Sequence, residues 1–346
     1  MVRSQNVLSQ CETGPVIERV VAFDRPRRMR CGSCNFEWDV DAEWLYRFDR
    51  VEEACPSCGT DCQVEDRPDF WFSPDDPLHE DSRVRETYWY HTSTYVNWPQ
   101  RAFDPTIRST DTTNPKYQHV KSGELAPGRW AQGQKAKALH LGTYEAAIEN
   151  MLRRMTKQGN AGDQFYLYRV RLSPDAVIEP GVHKEPTNFV GDVQLSEICA
   201  PGVNTFRYIN THEDPSSISL AVTLDAIQAV QGIPIPLPVS ATHPWVNTAS
   251  SRLREAASRP SPQPMTALDR LRRPVSPALS EARNLEAEIA GTLPLALRRR
   301  LYVRFDEADI TTDRHAFPAK LIGLANLVTE PTATLELLDG APWREV

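Results

Sequence analysis

The stretch CGSCNFEWDVDAEWLYRFDRVEEACPSC, residues 31–58, decides the fold of the N-terminal part of the chain. Two thiolates can reach one tetrahedral ion from a single tight turn, and the small or turn-forming residues inside each CxxC pair permit that turn. The spacing therefore predicts a zinc ribbon over residues 1–65, with a structural Zn2+ that has only protein ligands. The predicted ligands are Cys31, Cys34, Cys55 and Cys58.

A fifth cysteine and two side-chain clusters accompany these pairs. Cys62 could replace Cys58 as a ligand, or it is a spare thiol. The basic cluster DRPRRMR, residues 24–30, could touch phosphates or form a solvated strand edge. The ribbon could thus contact a macromolecular acceptor, either protein or nucleic acid. Aromatic residues that can cover one side of a small sheet lie between the pairs: Phe36, Trp38, Trp44, Tyr46 and Phe48.

The length and net charge of the chain limit the number of domains and the classes of function that it can have. At 346 residues, the chain is too long for one ordinary core and predicts two or three domains. Its net charge of −7 argues against a protein that coats nucleic acid through bulk electrostatics. The N-terminus lacks the apolar core of a signal peptide, and no segment has the roughly 18 consecutive apolar residues of a membrane span. We therefore expect a cytoplasmic protein with no membrane contact.

Proline-rich polar stretches divide the chain. They predict linkers at 66–82 and 233–265. Between the linkers, residues 83–232 have the pattern of a mixed α/β domain, and residues 266–346 form a helical C-terminal region that could bind a protein partner. The expected class is therefore α+β, with a small ribbon, a central domain and a helical tail.

Apolar patterning gives the expected elements of these regions. Strands are predicted at 86–91, 137–142, 164–172, 205–210 and 217–222. A helix fits 144–155, where an apolar stripe recurs with helical spacing. Further helices are expected at 266–272, 279–304 and 316–328.

Three of these segments place polar side chains where a strand ends. ETYWYHTS ends in His91, ALHLG carries His140 and leads into the helix YEAAIENMLRRM, and NTFRYINTHEDPSSISLAV brings Glu213. This order resembles the ADP-ribosyltransferase fold, which includes diphtheria-toxin-like and poly(ADP-ribose) polymerase-like domains and the NAD-consuming RES toxins. In that group a first strand ends in a histidine, a second precedes an alanine-rich helix, and a late strand supplies a glutamate.

The resemblance implies a binding site for NAD. His91 would bind the adenosine ribose. Thr92 stands where glycine is usual in the group, and Ser93 matches its small hydroxyl position. Tyr144 would stack on the nicotinamide ring, and His140 is the alternative for that position.

The resemblance also implies an acid that stabilises an oxocarbenium-like transition state. Glu213 would be that residue, with Asp214 as a competitor, whereas the RES pattern favours Glu149. Cleaving the nicotinamide glycosidic bond builds positive charge on the ribose, so a carboxylate near that carbon and a rigid pocket are needed.

Two functions follow from these residues. The resemblance implies an NAD-consuming enzyme that transfers ADP-ribose to a macromolecular acceptor or hydrolyses NAD, as a toxin or in conflict between a bacterium and a phage. The alternative is a non-enzymatic zinc-ribbon scaffold that binds protein or nucleic acid. Convergence of His91, Tyr144 and Glu213 on one cleft would favour the enzyme.

Overall fold

The computed structural model describes residues 16–100, 136–186, 193–260 and 275–346. Within these ranges the chain has a mixed α+β fold built from three sheets with helices around them. None of the helices in these ranges is both long and apolar enough to cross a bilayer. The predicted helix 266–272 lies outside the described residues.

The first sheet belongs to the ribbon. Its antiparallel strands, in the order β2-β1-β3, are β1 (Arg27–Cys31), β2 (Glu37–Val40) and β3 (Pro68–Trp71), and helix α1 (Ala42–Phe48) follows β2. Helix α1 begins where the Asp41 carboxylate accepts a hydrogen bond from the Trp44 amide at 2.8 Å.

Residues 66–82 are structured, in contrast to the expected linker. Strand β3 pairs with β1, a 3-10 turn covers Pro77–His79, and helix α2 covers Asp81–Glu86. Aromatic packing gives the physical reason, because the rings of Phe48 and Phe70 lie 6.1 Å apart across the ribbon. Pro68 is the first residue of β3, and Pro77 is the first residue of the 3-10 turn.

The central part contains two four-stranded sheets among the described residues. Their strand orders are β11-β10-β6-β4 and β5-β9-β8-β7. The strands are β4 (Trp89–Ser93), β5 (Leu139–Leu141), β6 (Phe165–Leu172), β7 (His183–Lys184), β8 (Thr205–Ile209), β9 (Ile218–Val222), β10 (Ile227–Ile235) and β11 (Arg344–Glu345). The five predicted strands are all found, with shifted ends, whereas β7, β10 and β11 were not predicted.

The central and C-terminal parts of the described residues also contain helices. They are α3 (Tyr144–Lys157), α4 (Leu195–Ile198), α5 (Pro244–Ser258), α6 (Pro277–Ala290), α7 (Asp309–Thr312), α8 (Ala316–Thr329) and α9 (Pro331–Gly340). The predicted helix 279–304 ends earlier, at Ala290, and a 3-10 turn follows at Leu295–Leu297. Helix α5 and the end of β10 lie where the linker 233–265 was expected.

Two large apolar cores, and a smaller cluster around Phe206 on the second sheet, hold the described layers together. One lies between the two sheets and includes Trp89, Val170 and Leu220. The other joins the first sheet, α3 and the C-terminal helices, with Leu152 and Leu321 among its fully buried residues. The C-terminal helices therefore complete the core beneath α3 and do not form a detached tail.

Candidate functional site

The four predicted ligands form a compact cluster at one end of the ribbon. The Sγ atoms of Cys31, Cys34, Cys55 and Cys58 all lie within 4.8 Å of one another. The Cys31–Cys58 and Cys34–Cys55 sulfur pairs are each 3.7 Å apart. Four sulfurs placed tetrahedrally at about 2.3 Å from Zn2+ are about 3.8 Å apart, so the cluster fits such an ion.

Both CxxC turns have the same backbone geometry. The amide of Asn35 donates to the carbonyl of Cys31, and the amide of Gly59 donates to the carbonyl of Cys55, each at 2.9 Å. Asn35 has φ +57° and Gly59 has φ +72°, a conformation that asparagine and glycine adopt most readily. The residue after each second cysteine thus closes a turn that points both thiols at one centre.

The thiols differ in acidity, and one cysteine stands apart. Hydrogen bonding to Thr60 lowers the pKa of Cys58 to about 6, whereas burial raises the pKa of Cys55 to about 11. A bound cation would displace the remaining protons, because thiolate is the ligand form. Cys62 is buried but is not part of the cluster, which leaves it as the spare thiol and Cys58 as the ligand.

The arginines of the basic cluster, residues 24–30, form ion pairs and hydrogen bonds within the chain. Arg25 and Arg27 both form ion pairs with Asp214, at 2.8 Å and 3.0 Å. Arg28 pairs with Glu37 and Asp39, and Arg30 donates to the side chain of Asn35. Arg25 and Arg27 therefore connect the ribbon to the central part of the molecule, whereas Arg28 and Arg30 stabilise the ribbon itself.

A second candidate site is a cavity of about 640 Å³ where the two central sheets diverge. Strands β4 and β5 touch there through one bridge, in which Tyr90 and Gly142 exchange backbone hydrogen bonds of 2.9 Å and 3.0 Å. A Cβ at Gly142 would lie 2.8 Å from that of Ala146, so only glycine allows α3 to start this close to the bridge. The cavity is bounded by β4, β5, α3 and the loop between β8 and β9.

His91 lines this cavity in a fixed, neutral form. Its Nδ1 lies 2.8 Å from the carbonyl oxygen of His140, an acceptor, so Nδ1 carries the proton and Nε2 keeps a lone pair. The ring stacks on Trp98 with centroids 4.1 Å apart. Burial lowers the pKa of His91 to about 3, so the imidazole is uncharged at neutral pH.

His140 lines the same cavity and has an unsatisfied nitrogen. Its Nδ1 is 3.0 Å from the hydroxyl of Tyr208, while its buried Nε2 has no hydrogen-bond partner. Burial lowers the pKa of His140 as well. A buried polar atom without a partner costs free energy, so this nitrogen is a destabilising feature beside the cavity.

Glu213 reaches the cavity from the loop between β8 and β9, residues 210–217, here named the carboxylate loop. The Asn210 side chain shapes this loop by accepting hydrogen bonds from the amides of His212 and Glu213 at 3.0 Å and 2.9 Å. The Glu213 carboxylate accepts hydrogen bonds from Arg153 and from Asn150 on α3. His91, His140 and Glu213 therefore meet in one cleft.

The other predicted cleft residues are placed differently. Tyr144 is 2% exposed, and its hydroxyl donates to the carbonyl of Leu327 on α8 at 2.9 Å. It lies on the apolar stripe of α3, which faces the core, and so it does not line the cavity. Thr92 lines the cavity, but its hydroxyl donates to Ala147 at 2.9 Å. Ser93 is buried, outside the lining, and its hydroxyl accepts from the Tyr95 amide.

The two alternative acids also lie behind the cleft. Asp214 binds two arginines, accepts a hydrogen bond from the Thr143 hydroxyl at 2.7 Å, and is buried outside the cavity lining, away from a substrate in the cleft. Glu149 pairs with Arg300 at 2.8 Å and is buried. Burial raises the pKa of Glu149 to about 7, because the attraction of Arg300 does not offset the loss of solvent.

Helix α3 supplies cleft residues that the sequence reading missed. Asn150, Arg153 and Lys157 line the cavity on the face of the helix opposite its apolar stripe. They are spaced by three and four residues, so they share one side of the helix. The apolar stripe predicted at 144–155 implies a polar face on the other side of the helix. These three residues could have been predicted from that face.

No protein-family model matches the chain, and no curated protein or solved structure matches it. The cleft and the cysteine cluster are therefore interpreted from their own geometry and chemistry. The cysteine cluster can hold a metal ion such as zinc.

Proposed function

We propose that the chain is an NAD-consuming enzyme that breaks the nicotinamide glycosidic bond in the cleft of His91, His140 and Glu213. The observation that carries this proposal is their convergence on one cavity of about 640 Å³, although they come from three separate segments. The volume lies within the range of cofactor-sized pockets. Tyr144, which the resemblance pairs with them, takes no part.

Charge complementarity supports a substrate that carries both signs. NAD has a cationic nicotinamide ring and an anionic diphosphate. Arg153 and Lys157 offer two positive groups in the cavity lining, and Glu213 and Glu185 offer two negative groups. A diphosphate that binds Arg153 would free the carboxylate of Glu213 for the ribose.

The chemistry assigned to the carboxylate is electrostatic. Departure of nicotinamide leaves positive charge on the ribose carbon and ring oxygen, which Glu213 stabilises from a fixed position. The neutral His91 can accept a hydrogen bond from a ribose hydroxyl at Nε2 and so fix the sugar. Tyr208, whose ring lines the cavity beside His140, takes the place of Tyr144 as the aromatic wall.

The ribose carbon then accepts either water or a nucleophile on a macromolecule. Purified protein incubated with NAD should release nicotinamide, measured by chromatography, with and without cell extract. Release only with extract indicates transfer of ADP-ribose to a macromolecular acceptor, and equal release indicates hydrolysis. No release under either condition contradicts the proposal.

The ion that we assign to the cysteine cluster is Zn2+, because four thiolates in tetrahedral spacing suit it and leave no open position. Its role is structural. The scaffold alternative keeps one specific observation in its favour, which is a row of ring contacts on the ribbon. Phe36, 42% exposed, stacks on Trp38, and Trp38 meets Trp44 edge-on. Such a surface can bind a partner.

A further inference from the structure

The carboxylate loop holds a strained backbone at the point where it meets the ribbon. Asp214 has φ +47° and Ser216 has φ +65°, although neither is glycine. Residues in this left-handed region persist where the surroundings hold them in place. Because Glu213 precedes Asp214 directly, the conformation of Asp214 sets the direction in which Glu213 enters the cleft.

The ribbon supplies much of that restraint. The Arg25 guanidinium pairs with Asp214 at 2.8 Å and donates to the carbonyl of Pro215 at 3.1 Å. Arg27, itself 4% exposed, pairs with the same Asp214 oxygen at 3.0 Å. The backbone amide of Arg28 donates to the Ser216 hydroxyl at 3.3 Å.

The buried carboxylate of Asp214 needs these contacts to offset its loss of solvent. The residue is 1% exposed, so its carboxylate is out of water and depends on its partners. Its second oxygen accepts a hydrogen bond from the hydroxyl of Thr143, the residue that caps the start of α3. One carboxylate thus joins the ribbon, the loop and the helix that carries Arg153.

The metal cluster lies at the end of the same strand. Strand β1 begins at Arg27 and ends at Cys31, a predicted ligand. We infer that Arg25 and Arg27 are positioning residues for Glu213, so that metal binding by the four cysteines fixes the geometry of the cleft. The catalytic meaning of this coupling rests on the proposed function, but the coupling between ribbon and loop does not.

Hydrogen exchange on the full-length protein tests the coupling without any substrate. We expect removal of the metal with a chelator to speed amide exchange across residues 210–217 by at least about tenfold, because the loop loses its restraint. Amides of β6, which lies in the other central sheet, should exchange as before. Unchanged exchange in the loop after metal loss would overturn the inference.

Variants separate the arginine contacts from general loss of the ribbon. Arg25→Ala in the metal-loaded protein should reproduce the faster exchange of residues 210–217, and Arg25→Lys should restore much of the protection by keeping the charge beside Asp214. Arg28→Ala is the matched control, since its side chain pairs only within the ribbon while its amide contact survives.

These measurements test the coupling between the ribbon and the carboxylate loop separately from the proposed function. An equal effect of Arg28→Ala and Arg25→Ala, or no effect of Arg25→Ala, would show that these contacts do not position the loop. Absence of nicotinamide release together with the predicted exchange pattern would reject the enzyme and retain the coupling. Release that persists with full kcat in Arg25→Ala would reject the positioning role alone.

Discussion

At the scale of single residues, partners decide what each acid on α3 and the carboxylate loop can do. Glu213 faces the cleft and Asp214, its neighbour, is held by two arginines. Glu145 accepts a hydrogen bond from the amide of Ala22, and Glu149 pairs with Arg300. The sequence favoured Glu213, with Asp214 as a competitor and Glu149 as the acid of the RES pattern, and it could not show the distant partners that hold Asp214 and Glu149.

Glu149 should give the folded protein a pH-dependent stability. Its pKa of about 7 in the folded state lies above its unfolded value, so the folded state binds the extra proton. The resulting stabilisation is complete below the unfolded pKa and is lost as pH rises through about 7. Because Gln mimics the protonated form, the wild type should lose up to about 3 kcal/mol relative to Glu149→Gln between pH 4.5 and pH 8.

Urea unfolding of both proteins at several pH values measures this difference. His91 acts in the opposite sense, because its lowered pKa removes stability as pH falls below its unfolded value. That contribution is the same in both proteins and cancels in the comparison. Parallel pH profiles for the wild type and Glu149→Gln would show that Glu149 ionises normally.

Tyr144 should behave as a core residue. Tyr144→Phe removes the hydrogen bond to the carbonyl of Leu327 and should lower the free energy of unfolding by about 1 kcal/mol. Tyr144→Ala should cost about 3–5 kcal/mol, because it empties a site in the packed core. Tyr302→Phe, at an exposed position, is the matched control and should change the free energy little. Equal stability of Tyr144→Phe and the wild type would contradict the core assignment.

At the scale of elements, local sequence patterns predicted the features that depend on residues close together in the chain. The CxxC spacing located the cysteine cluster, and the apolar stripe located α3 to within two residues of its end. Strand β10 was missed because its C-terminal half contains Pro234, which is tolerated there since β11 pairs only with Ala229 and Val230. Strand β3 was missed for a similar reason, as it begins at a proline in an acidic stretch.

The ribbon should carry one metal ion. Elemental analysis of the purified protein should find about one equivalent of zinc per chain, because four thiolates fill one tetrahedral shell. Cys31→Ser should lose most of that metal. Cys62→Ser, a buried cysteine outside the cluster, should retain it. Equal metal content in the two variants would remove the assignment of the ligands.

At the scale of the whole molecule, contacts between distant segments make the parts interdependent. Arg25 reaches Asp214 across 189 residues, and Tyr144 reaches Leu327 across 183. No local pattern contains such pairings, which explains why the sequence suggested separate domains joined by linkers. The tail and the linker at 66–82 instead add to the packing around the central sheets.

The shared core predicts how fragments behave. A fragment of residues 83–232 lacks α5, α6 and α8, which cover the apolar face of α3 and the first central sheet. It should therefore be expanded and bind hydrophobic dyes, because that face becomes exposed. Fluorescence of a dye and gel filtration would measure this. A compact fragment that binds no dye would show that the central sheets fold without the C-terminal helices.

The most direct measurement compares nicotinamide release by the wild type with release by Glu213→Gln, alongside calorimetric binding of NAD to both. Gln keeps the shape and hydrogen-bonding reach of the side chain but removes the charge that stabilises the developing cation. We expect NAD to bind both proteins, while release by the variant falls by about a hundredfold to a thousandfold. Glu336→Gln, at an exposed position on α9, should match the wild type. Undiminished release by Glu213→Gln would contradict the assignment of the cleft.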